Sequence, residues 1–160
     1  MSSRKKTDNS KAVKPQPKEV SKKIALFTHL VRSSHPLVWV VTCEYKRFEN
    51  LAAASLPQLK HMLWNCMTGL QGAGGVTATD PLKPVQAACS MSRTVIYLEN
   101  YHRFLGSVEI VQSLLNSMDY LKSNSVTLAV LSPVINCPPE LQHYFVTYEF
   151  SRDFRISKFF

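Results

Sequence analysis

The sequence predicts an α/β fold: a five-stranded parallel sheet between two helical layers. Apolar runs of strand length alternate with segments of helical periodicity along most of the chain. Most of those runs (LVWVVTC, TVIYLE, VTLAVLS) are solid rather than alternating, the pattern of strands covered on both faces. Helices between such strands are the crossovers that parallel pairing requires. The length of 160 residues suits one domain, and 45% apolar with 19% charged residues is the composition of a folded chain rather than a disordered one.

Each element follows from its own pattern. Ser21 is placed to cap a helix carrying Ile24, Phe27, Leu30 and Val31, which stops before the Ser33-Ser34-His35-Pro36 breaker. The first strand is 37–43. A helix over 44–56 sets Phe48, Leu51, Ala52 and Leu56 on one side, and Pro57 ends it. The second strand, HMLWNCM (61–67), leads into TGLQGAGGVTATDP, read as a loop. Asp80 caps a helix reaching about Met91 with Leu82, Val85, Ala88 and Cys89 inward. TVIYLE (94–99) is the third strand. The longest helix, Ser107 to Lys122, has Glu109 in its first turn, Lys122 in its last and a wide apolar face. Strand four is 126–132, a short helix follows at Glu140 to His143, and strand five is 144–150.

Composition excludes several classes. No run of 18 or more apolar residues is present, so no membrane-spanning helix or membrane partner is expected. The four cysteines (Cys43, Cys66, Cys89, Cys137) form no CxxC pair, and buried thiols in a reducing, cytoplasmic compartment are the expectation rather than a disulfide frame or a zinc site. The net charge of +8 is uneven. Residues 1–23 hold eight Lys/Arg against two acids, and the other 137 residues carry only +2. Residues 1–20, with Arg4, Lys5, Lys6, Lys11, Lys14 and Lys18, have too little apolar surface to offset chain entropy and read as a disordered basic arm. That arm lacks the features of a secretory signal or a transit helix. It suits nucleic acid, a ribonucleoprotein or another polyanion through counterion release, or serves only to solubilise.

In a parallel sheet, ligands bind beyond the carboxyl ends of the strands. The residues there are Glu44 after strand one, Glu99, Asn100 and His102 after strand three, and Ser132 after strand four. An apolar strand ending in Glu99 resembles the magnesium-binding strand of a P-loop ATPase. Such an enzyme needs G-x-x-x-x-G-K-[ST] after its first strand. TCEYKRFEN has no glycine, and Glu44 would meet a phosphate with like charge. Gly69 and Gly74 have the right gap, but Gly75-Val76 follow where Lys and Ser/Thr are required. No G-x-S-x-G or HExxH is present, so catalytic, metal and cofactor sites are not expected. Glu99 with His102, and Glu44 nearby, is the one candidate acid/base group.

The order of these pieces resembles a known family, the degenerate N-terminal domain of AAA-type ATPases of cyanobacteria, plastids and many other bacteria. The matching stretches are HPLVWVVTCEYKRFENL, MLWNCMTGL with its Trp-x-x-Thr-Gly-Leu pattern, DPLKPVQA, TVIYLENYHRFL and LAVLSPVINCPPELQ, about 115 residues in the family's order. The resemblance implies a three-layer P-loop-NTPase-like fold of AAA type over residues 21–152, without the phosphate loop. Where the family has Asp-Phe-His, this chain has Asn100-Tyr101-His102. The family continues into a lid and an ATPase domain where this chain stops at Phe160, so a free-standing copy of a non-catalytic domain is expected.

The C-terminal residues 153–160 form a basic-aromatic tail in which Phe154, Phe159 and Phe160 interleave with Arg155 and Lys158. It packs on the domain, docks on a protein or contacts single-stranded nucleic acid. The expected function is a non-catalytic binding or structural module, pseudo-ATPase in descent, that docks on a larger assembly with its arm on a polyanion. The alternative is a nucleotide hydrolase or transferase with an atypical site at Glu44, Glu99 and His102.

Overall fold

The computed structural model of the chain describes residues 17–71 and 79–151. Its elements are α1 (Pro17–Arg32), β1 (Leu37–Val41), α2 (Tyr45–Ser55), β2 (Lys60–Asn65), β3 (Gly69–Gln71), α3 (Lys83–Ala88), β4 (Thr94–Glu99), α4 (Val108–Ser123), β5 (Val126–Ser132) and β6 (Phe145–Glu149). Short 3-10 turns occupy Tyr101–Arg103 and Pro139–Leu141. One sheet has the order β3-β2-β4-β5-β1-β6. All its pairings are parallel except β2–β3.

Five of these strands are the predicted ones, and β3 is a sixth that the sequence reading assigned to a loop. Three residues are too few to display a period of two. The hairpin turn is held by Asn65, whose Oδ1 accepts from the Met67 and Thr68 N–H groups and the Thr68 hydroxyl at 2.9–3.0 Å. Gly69 enters β3 at φ 68, a left-handed backbone that glycine adopts without cost. Two helices differ at their ends. α1 begins at Pro17, so residues 17–20 of the expected arm are helical and Val20 packs on the core. α3 is only six residues long, because Asp80 caps a turn ahead of it with its carboxylate on the Leu82 N–H at 2.9 Å. Arg4, Lys5, Lys6, Lys11 and Lys14, and the tail with Phe154, Phe159 and Phe160, lie outside the described residues.

Alternation along the strands divides the core into two layers. Val38, Val40, Val95, Tyr97, Ala129 and Leu131 face α1 and α2, where Phe27, Phe48, Ala52 and Leu56 meet them. Leu37, Trp39, Ile96, Leu98, Leu128 and Val130 face α3 and α4. The central strands β1, β4 and β5 are buried along nearly their whole length, as their solid apolar runs require, whereas β6 alternates as an edge strand does. The β1 connection leaves to the α1/α2 face. The connections of β4 and β5 leave to the other face, where Leu141 of the β5–β6 segment is buried. The neighbours β1 and β5 therefore form the topological switch point, where open α/β sheets bind ligands.

Candidate functional site at the carboxyl ends of the strands

At the switch point the chain leaves β1 through Thr42-Cys43-Glu44. Thr42 N–H bonds the Ser132 carbonyl at 2.9 Å, and its hydroxyl accepts from Glu44 N–H at 2.9 Å. A donor that a phosphate loop would aim at its ligand is thus spent on the chain itself. The Glu44 carboxylate is bonded to Arg47 one turn on, at 2.9 Å, and the Arg47 guanidinium lies 5.7 Å from the centre of the Phe150 ring. The cleft here, of about 320 Å³, is lined by Val41, Thr42, Cys43, Glu44, Pro133, Glu149 and Ser151. Two carboxylates at its wall and no glycine in the turn make it a poor fit for a nucleotide's phosphates.

A second group gathers between α2 and the end of β4. Lys46 Nζ lies 3.5 Å from Glu49 and 3.9 Å from Glu99, and Asn65 donates its amide to Glu99 at 3.4 Å. Glu49 is only 8% exposed, and its Oε1 is buried and, as a carboxylate oxygen, meets no donor among the described residues. Burial, reinforced by the adjacent Glu99 and opposed by Lys46, pushes the Glu49 carboxyl up to about 8. The shift favours the protonated form of Glu49, and a protonated carboxyl can donate to Glu99, the arrangement that lets two close carboxyls coexist. The sequence reading missed Glu49 because it is charged. Its signal was position, since 45, 49, 52 and 56 form one helical stripe whose other members are apolar.

The expected residues do not converge. Asn100 sits in a left-handed backbone at φ 55, which Asn tolerates better than most residues, and its Oδ1 accepts from the Tyr45 hydroxyl at 2.7 Å. Burial, then Cys43 and Glu99, raise the Tyr45 phenol and keep it a donor. Glu99 pairs with Lys46 and accepts from Asn65, whereas Glu44 pairs with Arg47. His102 is buried with Nδ1 unpartnered, and burial, with Arg103 second, lowers its proton affinity. Ser132 is fully buried and committed twice, accepting from Trp39 Nε1 at 2.8 Å and donating to the Val134 carbonyl at 2.6 Å. It fixes a core tryptophan and offers a ligand nothing. The thiols are corrected as well: Cys43 and Cys66 are exposed, because β1 and β2 end before reaching them, and Cys89 and Cys137 are half-buried. All four are unpaired.

Deeper under α2, His61 has only one orientation of its proton. Its Nε2 faces the Leu56 carbonyl at 2.7 Å and so donates, leaving Nδ1 to accept from the Tyr97 hydroxyl at 2.9 Å. Burial raises the Tyr97 phenol, which fits a permanent donor. Among the described residues no group of three or more His, Cys, Asp or Glu is placed to hold a metal ion. No helix among them is long and apolar enough to cross a membrane.

A sheet of this order, covered by helices on both faces and carrying an acidic residue at the end of a central strand, defines the P-loop-like α/β class. The chain belongs within it to the SpoVK-like AAA ATPase N-terminal domain family, whose model matches residues 23–150. The match covers the N-terminal domain, and it bears out the resemblance read from the motifs. No curated protein matches the chain.

Proposed function

We propose that this domain is a non-catalytic binding module of an AAA-type assembly, docking on protein and contacting a polyanion through its N-terminal basic residues. The observation that carries the reading is the β1–α2 connection. Where a working relative of the fold would wrap phosphates in backbone N–H groups, Thr42 takes the Glu44 N–H and Glu44 itself supplies a carboxylate. The Glu49–Glu99 pair adds a further anion nearby. Equilibrium binding of labelled ATP with magnesium tests this directly. No saturable binding is expected below millimolar concentration, and micromolar affinity with steady turnover would overturn the reading.

The arm is tested by deleting residues 1–16, a cut that spares α1 from Pro17 onward. The melting temperature should stay unchanged, while affinity for single-stranded DNA or RNA falls and its salt dependence flattens. If the truncated chain binds as well as the intact one at low salt, the arm is not the contact.

A further inference from the structure

The amino ends of the strands, opposite the site just described, carry unpaired cations. Arg32 closes α1, Lys60 opens β2, and Arg93 immediately precedes β4. All three are exposed, and none has an ion-pair partner among the described residues. Arg32 and Arg93 come together on one cleft of about 220 Å³, whose other lining residues are Val31, Gln58, Leu59 and Ser125. None of them is acidic.

Hydrogen bonds from four elements set this cleft. The Arg93 N–H bonds the Asn124 carbonyl at 2.9 Å, its carbonyl accepts from Lys60 N–H at 3.0 Å, and its φ of 50 is left-handed. Ser34 and Ser125 are left-handed too, at φ 57 and 54, each just past the end of a helix. Their hydroxyls lie 3.0 Å apart. His35 N–H to Leu30 and Ser34 N–H to Val31 complete a Schellman cap on α1. If Ser34 donates within the serine pair, the Ser125 O–H is left to turn toward the cleft.

Arg32 complements the negative end of α1, which accounts for one of the charges. Arg93 ends no helix. Two arginines line one cleft whose other lining residues carry no acid, and an oxyanion held there is attracted to both.

We propose that this cleft binds a phosphate group between Arg32 and Arg93, with the Gln58 amide and the Ser125 hydroxyl as further donors. The size narrows the ligand. A cleft of about 220 Å³ is smaller than the roughly 300–1,000 Å³ of sites that enclose whole drug-sized ligands, so it takes the phosphate and leaves any attached sugar or base outside. That phosphate belongs either to a small phosphorylated molecule or to a nucleic-acid backbone. The site is independent of the N-terminal arm: Lys23 in the first half of α1 reaches Ser151 beyond β6 at 3.5 Å, so the start of α1 lies at the other end of the sheet.

The test is NMR of the full chain, following the Arg32 and Arg93 Nε–H signals and the Ser34 and Ser125 amides. Sodium phosphate is titrated against sodium chloride at matched ionic strength, and then a short single-stranded DNA is added. Saturable shifts with phosphate and not with chloride are expected. Arg32→Gln and Arg93→Asn, the latter chosen because Asn accepts a left-handed backbone, should each weaken phosphate binding by about tenfold or more. Lys122→Gln, outside the cleft, should not. Competition by DNA at the same signals assigns a backbone phosphate, and saturation by inorganic phosphate alone assigns a small ligand. Shifts that stay linear, or that persist unchanged in both arginine variants, overturn the proposal. Deleting residues 1–16 leaves the phosphate titration intact even if it abolishes DNA binding, so the two readings fail separately.

Discussion

At the carboxyl ends of the strands the acids are held by the protein itself: Glu44 by Arg47, Glu99 by Lys46 and Asn65, and Glu49 beside Lys46 and Glu99. At the amino ends Arg32, Lys60 and Arg93 stand in the open without ion pairs among the described residues. The separation follows from the architecture. The helices α2 and α4 start at the carboxyl ends, where their positive ends favour Glu44 and Glu109, and end where cations such as Lys122 are favoured. The end where this kind of sheet ordinarily binds its ligand has thus been filled with the chain's own carboxylates. The phosphate site proposed above lies at the end that the general rule ignores.

Four changes would break or sharpen this contrast. The largest effect is expected at the carboxyl-end core. Phe48 is fully buried against Phe27, Tyr97, Tyr148 and Phe150, with ring centroids 5.0 to 6.4 Å away. Phe48→Ala should cost about 3–5 kcal/mol by urea denaturation, and a loss under about 1 kcal/mol would mean α2 is not held by this cluster. Next, Ser132→Ala leaves the buried Trp39 N–H unpaired and should cost about 1–3 kcal/mol without altering any ligand interaction.

The Glu49 pair predicts a pH dependence. Because the folded-state value is raised from 4.5 to about 8, the folded chain binds more protons than the unfolded one across that window. Its stability contribution is therefore complete below the lower value and is lost as pH rises through the upper one. Glu49→Gln should flatten that decline and gain on the wild type above about pH 8. Denaturation curves that keep the same slope between about pH 5 and about pH 9 in both proteins would dismiss the shared proton. The smallest effect is at the amino end, where Ser34→Gly relieves a left-handed backbone but loses the bond to Ser125. The two terms nearly cancel, and a net change within about 0.5 kcal/mol is expected by thermal denaturation.

Much of the fold was legible because solid apolar runs admit few readings. LVWVV, TVIYLE and VTLAVLS are the buried centre of the sheet, and the two helices with wide apolar faces formed close to where their spacing placed them. Gly69–Gln71 was not legible, since its strand character comes only from pairing with β2. The strand-end residues were legible as a group but not in their roles. Ser132 stood among the candidates for a ligand at the strand ends and is a buried partner of Trp39. Glu49 reads as a solvated helix residue and is buried. Arg32 and Arg93 are 61 positions apart in the chain and share a cleft only because α1 and β4 begin or end at the same edge of the sheet.

The sequence by itself determined the class of fold, the family and the missing phosphate loop. Each of these rests on local pattern: periodicity, short motifs and the residues directly after a strand. Only the tertiary structure decided which charges are neutralised and which are free, because that depends on what a parallel sheet brings side by side from distant parts of the chain. Burial then set the protonation of Glu49, since a carboxyl's charge depends on its neighbours and its access to water, and neither is written in the order of residues.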